Sequence, residues 1–166
     1  MGTRSLTRII DRQSELSFAK GHLAKNVGKS YVNMYRQFDG YIEGMGADLA
    51  EFLLPFTIVN GLTLNEDRKT ANGGGCLAAQ LVAHFKEDAG GIYLHPTEGK
   101  PGDCWEEYIY TIFVTHDQGK DNIIIAVYDV WEKDTIFVGT PERLLSKVNH
   151  KQRETSLPNT KQINKI

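Results

Sequence analysis

The 166-residue chain predicts a single α+β domain: an antiparallel sheet with two to three helices packed mainly on one face. Three observations carry this. Short apolar runs alternate with polar residues at a period of two. Helical periodicity is confined to three segments. Strands also follow one another without a helix between each pair, which separates α+β from the α/β pattern.

Residues 5–10, SLTRII, alternate loosely and suit a first strand. The polar stretch 12–30, with Gly21 and Gly28, reads as a loop or hairpin excursion. In YVNMYRQF (31–38) Val32, Met34, Arg36 and Phe38 share one face and Tyr31, Asn33, Tyr35 and Gln37 the other, so a second strand is expected. Asp39-Gly40 ends it, because glycine tolerates positive φ. Met45, Leu49, Phe52 and Leu53 then recur at helical spacing and Pro55 stops the helix. FTIVNGL reads as a short strand or buried loop, and NEDRKT after it as a surface connection.

A second helix is expected from about Gly75 to Asp88, stopped by Gly90-Gly91. One side carries Leu77, Ala78, Leu81, Val82 and Phe85. The other carries Cys76, Ala79, Gln80, Ala83 and His84 without a charge, so this helix is expected to be covered on both sides or to line a pocket with Gln80 and His84. Strands are expected at 91–96, 106–115, 122–132 and 135–139, with 117–121 as a hairpin loop. Thr140 is a natural N-cap with Pro141 at the first helical position. The domain is expected to span 1–148, with 149–166 a flexible polar and basic tail.

Composition removes several function classes. No apolar run approaches the roughly 18 residues of a membrane helix, and MGTRSLTRIIDR has no h-region, so a cytoplasmic protein is expected. Leu6 stands where a myristoylation signal at Gly2 needs Ser or Thr. A net charge of −2 argues against general nucleic-acid binding. Cys76 and Cys104 lack the paired spacing of a zinc site, and His22, His116 and His150 lack metal-ligand spacing, so neither a metal nor a cofactor is expected.

Three segments hold chemistry-bearing residues. Cys76 follows three glycines at a helix start, where the helix dipole favours a thiolate; His95 or His84 would be its base, with Glu106 or Glu107 as orienter. The bland alternative is a small buried residue. Asn72, Gly73, Gly74 and Gly75 offer backbone N–H groups to phosphate or carboxylate, or merely make a tight turn; the Lys-Ser/Thr of a Walker loop is missing. YRQFDGY gathers Tyr35, Arg36, Gln37, Asp39 and Tyr41: arginine grips phosphate bidentately and tyrosines stack on rings, unless Arg36 simply pairs with a nearby carboxylate. Tyr108, Tyr110, Tyr128 and Trp131 read as sheet packing.

MGTRSLT, YRQFDGY followed by EGMGADLAEFL, then ANGGGCLAAQLVAHFK, GGIYLHP and EEYIYTI together resemble a family of small uncharacterised proteins of tailed phages and bacteria. The resemblance covers residues 1–10 and 31–145 and departs at 11–30 and beyond 148. It implies no catalytic residues. It implies a phage-type accessory protein in the host cytoplasm; by analogy with other phage accessory proteins of this size, such a protein is expected to work against host defence, one solution being to sequester a nucleotide signal in an oligomer. The expected function is therefore capture of a small phosphate-bearing ligand, such as a cyclic nucleotide, by Tyr35, Arg36, Gln37, Asp39, Tyr41, Asn72, Gly73, Gly74, Gly75 and Gln80. The alternatives are a hydrolase or transferase built on Cys76, and a protein-interaction inhibitor of a host factor.

Overall fold

The computed structural model describes residues 2–11, 30–61, 69–96, 100–115 and 122–156. The strands are β1 (Ser5–Asp11), β2 (Asn33–Arg36), β3 (Phe56–Val59), β4 (Lys69–Asn72), β5 (Ile92–Leu94), β6 (Tyr108–Val114), β7 (Ile123–Asp129) and β8 (Asp134–Gly139). The helices are α1 (Ala47–Leu53), α2 (Gly73–Phe85) and α3 (Pro141–Ser156), with a π-helical turn at Ile42–Gly46 leading into α1. Six strands form one sheet in the order β5-β2-β1-β6-β7-β8, and β3 and β4 form a separate pair. The α+β class is as the sequence predicts. The excursion expected at 12–30 and the loop at 117–121 lie almost wholly outside the described residues.

Period-two alternation sorts the sheet's side chains between its faces. Met34, Ile9, Tyr110, Ile112, Ile125 and Val127 share a continuous core with Leu49 and Leu53 of α1, Leu77 and Leu81 of α2, and Leu144 of α3. On the opposite face Leu6, Ile109 and Tyr128 make one small cluster, and Ile10, Phe113, Ile124 and Ala126 another. The buried polar residues Arg8, Asn33 and Thr111 face the same way. Met45, Leu49, Phe52 and Leu53 are all buried, as their spacing requires. Truncating a fully buried leucine such as Leu81 to alanine would cost about 2–5 kcal/mol.

The structure departs from the sequence reading in several places, among them α2, which runs Gly73–Phe85 rather than from Gly75 to Asp88. β1 pairs with β6 in parallel, Leu6 opposite Ile109 and Ile10 opposite Phe113, and β3 pairs with β4 in parallel. Chain order is silent about such pairing between distant strands. Lys69 and Thr70, read as surface connection, belong to β4. The uncharged side of α2 is not covered on both sides: Ala79, Ala83 and His84 are exposed, and small or aromatic residues suffice there without charge. α3 runs on through residues 149–156, past its last apolar side chain, Val148, where Lys151, Gln152, Arg153 and Glu154 are good helix formers and Lys151 pairs with Glu43. At the turn after β2 the positive φ falls on Asp39, at 55°. Gly40 instead permits close approach, since a Cβ there would lie 2.6 Å from the Arg4 carbonyl carbon.

Thr140 caps α3 as expected, its Oγ1 accepting the Arg143 N–H at 3.4 Å, with Pro141 the first helical residue.

Candidate functional site

The YRQFDGY segment divides by alternation. Arg36 points to the helix face, where its Nη1 donates to Asp48 Oδ2 at 2.6 Å and to Met45 Sδ at 3.1 Å. The arginine expected to grip phosphate therefore ties β2 to α1. Tyr35 and Gln37 lie on the opposite face. Asp39 and Tyr41 sit on the exposed turn, where the Tyr41 hydroxyl donates to Asp39 Oδ1 at 3.4 Å.

The glycine segment is served by the protein's own anion. The Gly74 N–H donates to Asp11 Oδ1 at 3.1 Å, and the Tyr31 hydroxyl donates to Asp11 Oδ2. A Cβ on Gly74 would stand 2.5 Å from Asp11 Oδ1 and 2.8 Å from the Tyr31 ring. A carboxylate thus fills the position at the α2 N-terminus that phosphate would take, satisfying an N–H that has no partner inside the helix. The hydrogen bond to Asp11 pushes the Tyr31 phenol above its ordinary range. Asn72 Oδ1 accepts the Gly61 N–H at 3.1 Å, and Gln80 Nε2 donates to the Thr70 carbonyl at 3.0 Å.

These two segments do not converge. Arg36 stands opposite Ser5 at one end of β1, while Asp11, which holds Gly74, ends the strand. At about 3.3 Å per residue the separation is about 20 Å. A single site containing both Arg36 and Gly73–Gly75 is not formed.

The cysteine arrangement is also not assembled. Cys76 packs half-buried against the helix-side core and receives a weak contact from Gln80 Nε2 at 3.5 Å. His84 lies eight residues further along α2, about 12 Å up the axis, with its ring 4.8 Å from that of Phe52. His95 sets its ring against Tyr35 at 5.1 Å, on the opposite face of the sheet from Cys76. Among the described residues no group of three His, Cys, Asp or Glu side chains is placed to hold a metal. No described helix is long and apolar enough to cross a membrane.

A different constellation does assemble. Across the sheet face that carries Tyr35, a groove of about 1150 Å³ opens between residues 2–4, the loop before β6 and the turn between β7 and β8. Both tryptophans of the chain line it together with Arg4, Tyr35, Gln37 and Lys133. Trp105 is 79% exposed and Trp131 78%. Pairing of Tyr108 with Asp129 sets the segment before β6 beside the segment after β7, and the Val130 N–H donates to the Glu107 carbonyl at 2.9 Å.

Each indole rides on a turn that a carboxylate fixes. Glu106, almost wholly buried, accepts the Gly102 and Cys104 N–H groups at 2.7 and 3.0 Å. Asp129 Oδ1 accepts the Trp131 and Glu132 N–H groups at 2.9 and 3.0 Å. Trp105 has φ 62° and Lys133 φ 54°, the left-handed region that bulky side chains rarely enter. Backbone held this way tends to mark ligand-contact segments. Arg4 Nη1 reaches the Trp105 carbonyl at 3.4 Å. Burial, with Glu106 and Asp103 adding to it, pushes the Cys104 thiol up and disfavours a thiolate in the groove. Burial also raises the Tyr35 phenol, against the opposing pull of Arg4.

Of the expected ligand residues the groove contains Tyr35 and Gln37. Trp131, read as packing, is exposed because β7 ends at Asp129 and the alternation does not continue into the turn. The sequence signal for Trp105 is the hairpin itself, which sets the residues before its first strand beside those after its second.

The chain matches no protein-family model, no curated protein and no solved structure.

Proposed function

We propose that this chain is a small-ligand-binding protein whose tryptophan-lined groove captures a phosphate-bearing ring compound of the nucleotide class. The observation that carries the reading is the exposure of both indoles on mutually bonded turns around one groove that also presents Arg4 and Lys133. Stacking of a base on an aromatic side chain contributes about 1–3 kcal/mol. Arginine adds a planar donor fork for phosphate oxygens. The groove's volume suits a ligand of nucleotide size or larger.

Capture without turnover is the form this takes: the set of Cys76 with His84 or His95 is not assembled, and burial disfavours a thiolate at Cys104 in the groove. Together with the phage-type resemblance of the sequence, this supports a counter-defence role in which a nucleotide signal is sequestered in the host cytoplasm by a homo-oligomer.

Native mass spectrometry of the protein incubated with cyclic nucleotides and ADP-ribose derivatives tests the reading. An intact ligand, bound at fixed stoichiometry and recovered after denaturation, is expected. A chemically altered ligand would count against sequestration. Exposed tryptophans also serve as anchors in protein interfaces, so co-purification of a protein with no small molecule would favour the inhibitor reading instead.

A further inference from the structure

We propose that Glu106 is a positioning residue for this groove: its buried carboxylate closes the turn beneath Trp105 and sets the indole as a standing ligand face. The inference rests on the reading of the groove as a ligand site.

Trp105 and Glu106 invert the usual distribution of side chains. The indole is 79% exposed and the carboxylate next to it 2%. Glutamate is almost never fully buried without partners, and here both oxygens are engaged by the same turn, Oε1 by the Gly102 N–H and Oε2 by the Cys104 N–H. The turn closes on itself through the Trp105 N–H, which donates to the Gly102 carbonyl at 3.0 Å. Trp105 is the residue that takes the left-handed backbone conformation, so the direction of its side chain depends on that closure.

The charge of the carboxylate is also felt by a buried cation of the sheet. Arg8 of β1, 3% exposed, donates from Nε to Asn33 Oδ1 at 3.1 Å, and Asn33 Nδ2 donates to the Pro96 carbonyl at 2.8 Å. Burial lowers the Arg8 pKa and the Glu106 charge opposes that. The supporting contacts are thus the two backbone N–H groups that Glu106 accepts within the indole-bearing turn, bonds of the kind that fix ligand-binding groups. Glutamine in its place keeps the shape but offers one acceptor oxygen and turns an NH₂ group toward a backbone N–H. One of the two bonds must be lost.

With only two tryptophans in the chain, Trp131→Phe leaves Trp105 as the sole indole. In that background, time-resolved fluorescence anisotropy and iodide quenching compare Glu106 with Glu106→Gln. The inference expects a new fast depolarisation of Trp105 and a change in quenching of about twofold in the glutamine variant. A lowered thermal midpoint with unchanged anisotropy and quenching would reduce Glu106 to a structural role and overturn the inference. If Glu106→Gln does not fold, Glu106→Asp, which keeps the charge but shortens the reach, is read by the same criteria.

ADP-ribose serves as the binding probe in the protein retaining both tryptophans. Trp105→Ala and Glu106→Gln should each weaken it about tenfold, and the double variant no further than either alone. Loss in Trp105→Ala with none in Glu106→Gln overturns the inference and leaves the groove standing. An ADP-ribose affinity indifferent to Trp105→Ala, or absent throughout while the other nucleotides also fail, removes the groove reading and the inference with it.

Discussion

The Arg36 guanidinium donates to the Asp48 carboxylate at 2.6 Å, joining the end of β2 to the first turn of α1. The pair is partly shielded, with 20% of the arginine side chain and 44% of the aspartate exposed. It is therefore worth more than a fully solvated pair, but screening limits it. Arg36→Ala should lower stability by about 1 kcal/mol, less at high salt, as read by urea denaturation. It should leave ligand capture by the groove unchanged.

Asp11 and Gly74 form a second such relationship at the α2 N-terminus. Asp11→Ala should cost about 1 kcal/mol, in the range of a lost helix cap. Gly74→Ala should cost about 1–3 kcal/mol, because its methyl group must displace the Asp11 carboxylate and the Tyr31 ring. The two losses share one contact and should add to less than their sum in a double-mutant cycle.

Glu43 and Lys151 link the π-helical turn to α3. The hydrogen bond from Lys151 holds the Glu43 carboxyl below its ordinary range, and the same bond holds the Lys151 ammonium above its own. A carboxyl lowered by folding stabilises the protein above its unfolded pKa and loses that contribution as pH falls through the folded one; the raised ammonium loses its contribution as pH rises above the ordinary lysine range. The stability difference between wild type and Glu43→Gln should thus be largest near neutrality and shrink at acid and strongly alkaline pH. A difference independent of pH in urea titrations would show that the pair is not coupled to folding.

Much of the fold was legible because each element's pattern is local. The alternation of 31–38, the helical spacing of Met45, Leu49, Phe52 and Leu53, and the Thr140-Pro141 start each specify their element within a few residues. The parallel register of β1 on β6 was not legible, since it joins segments about a hundred residues apart.

The arrangement of the candidate ligand residues was less legible for a related reason. Residue type pointed to Arg36 and the glycines, but neighbouring carboxylates, Asp48 and Asp11, already occupy them. No local pattern singles out the two indoles, yet the β6–β7 pairing brings their turns together. Tyr35 and Gln37 entered through YRQFDGY, and alternation alone puts them opposite Arg36.

The most direct test locates the ligand by comparing nucleotide binding in four proteins: wild type, Trp105→Ala, Trp131→Ala and Arg36→Ala, using isothermal titration with the nucleotide that native mass spectrometry identifies. The groove as ligand site requires a loss of about tenfold or more in each tryptophan variant, corresponding to 1–3 kcal/mol of stacking, and wild-type affinity in Arg36→Ala. Wild-type affinity in both tryptophan variants, with loss in Arg36→Ala, would contradict it and move the site to the helix side of the sheet.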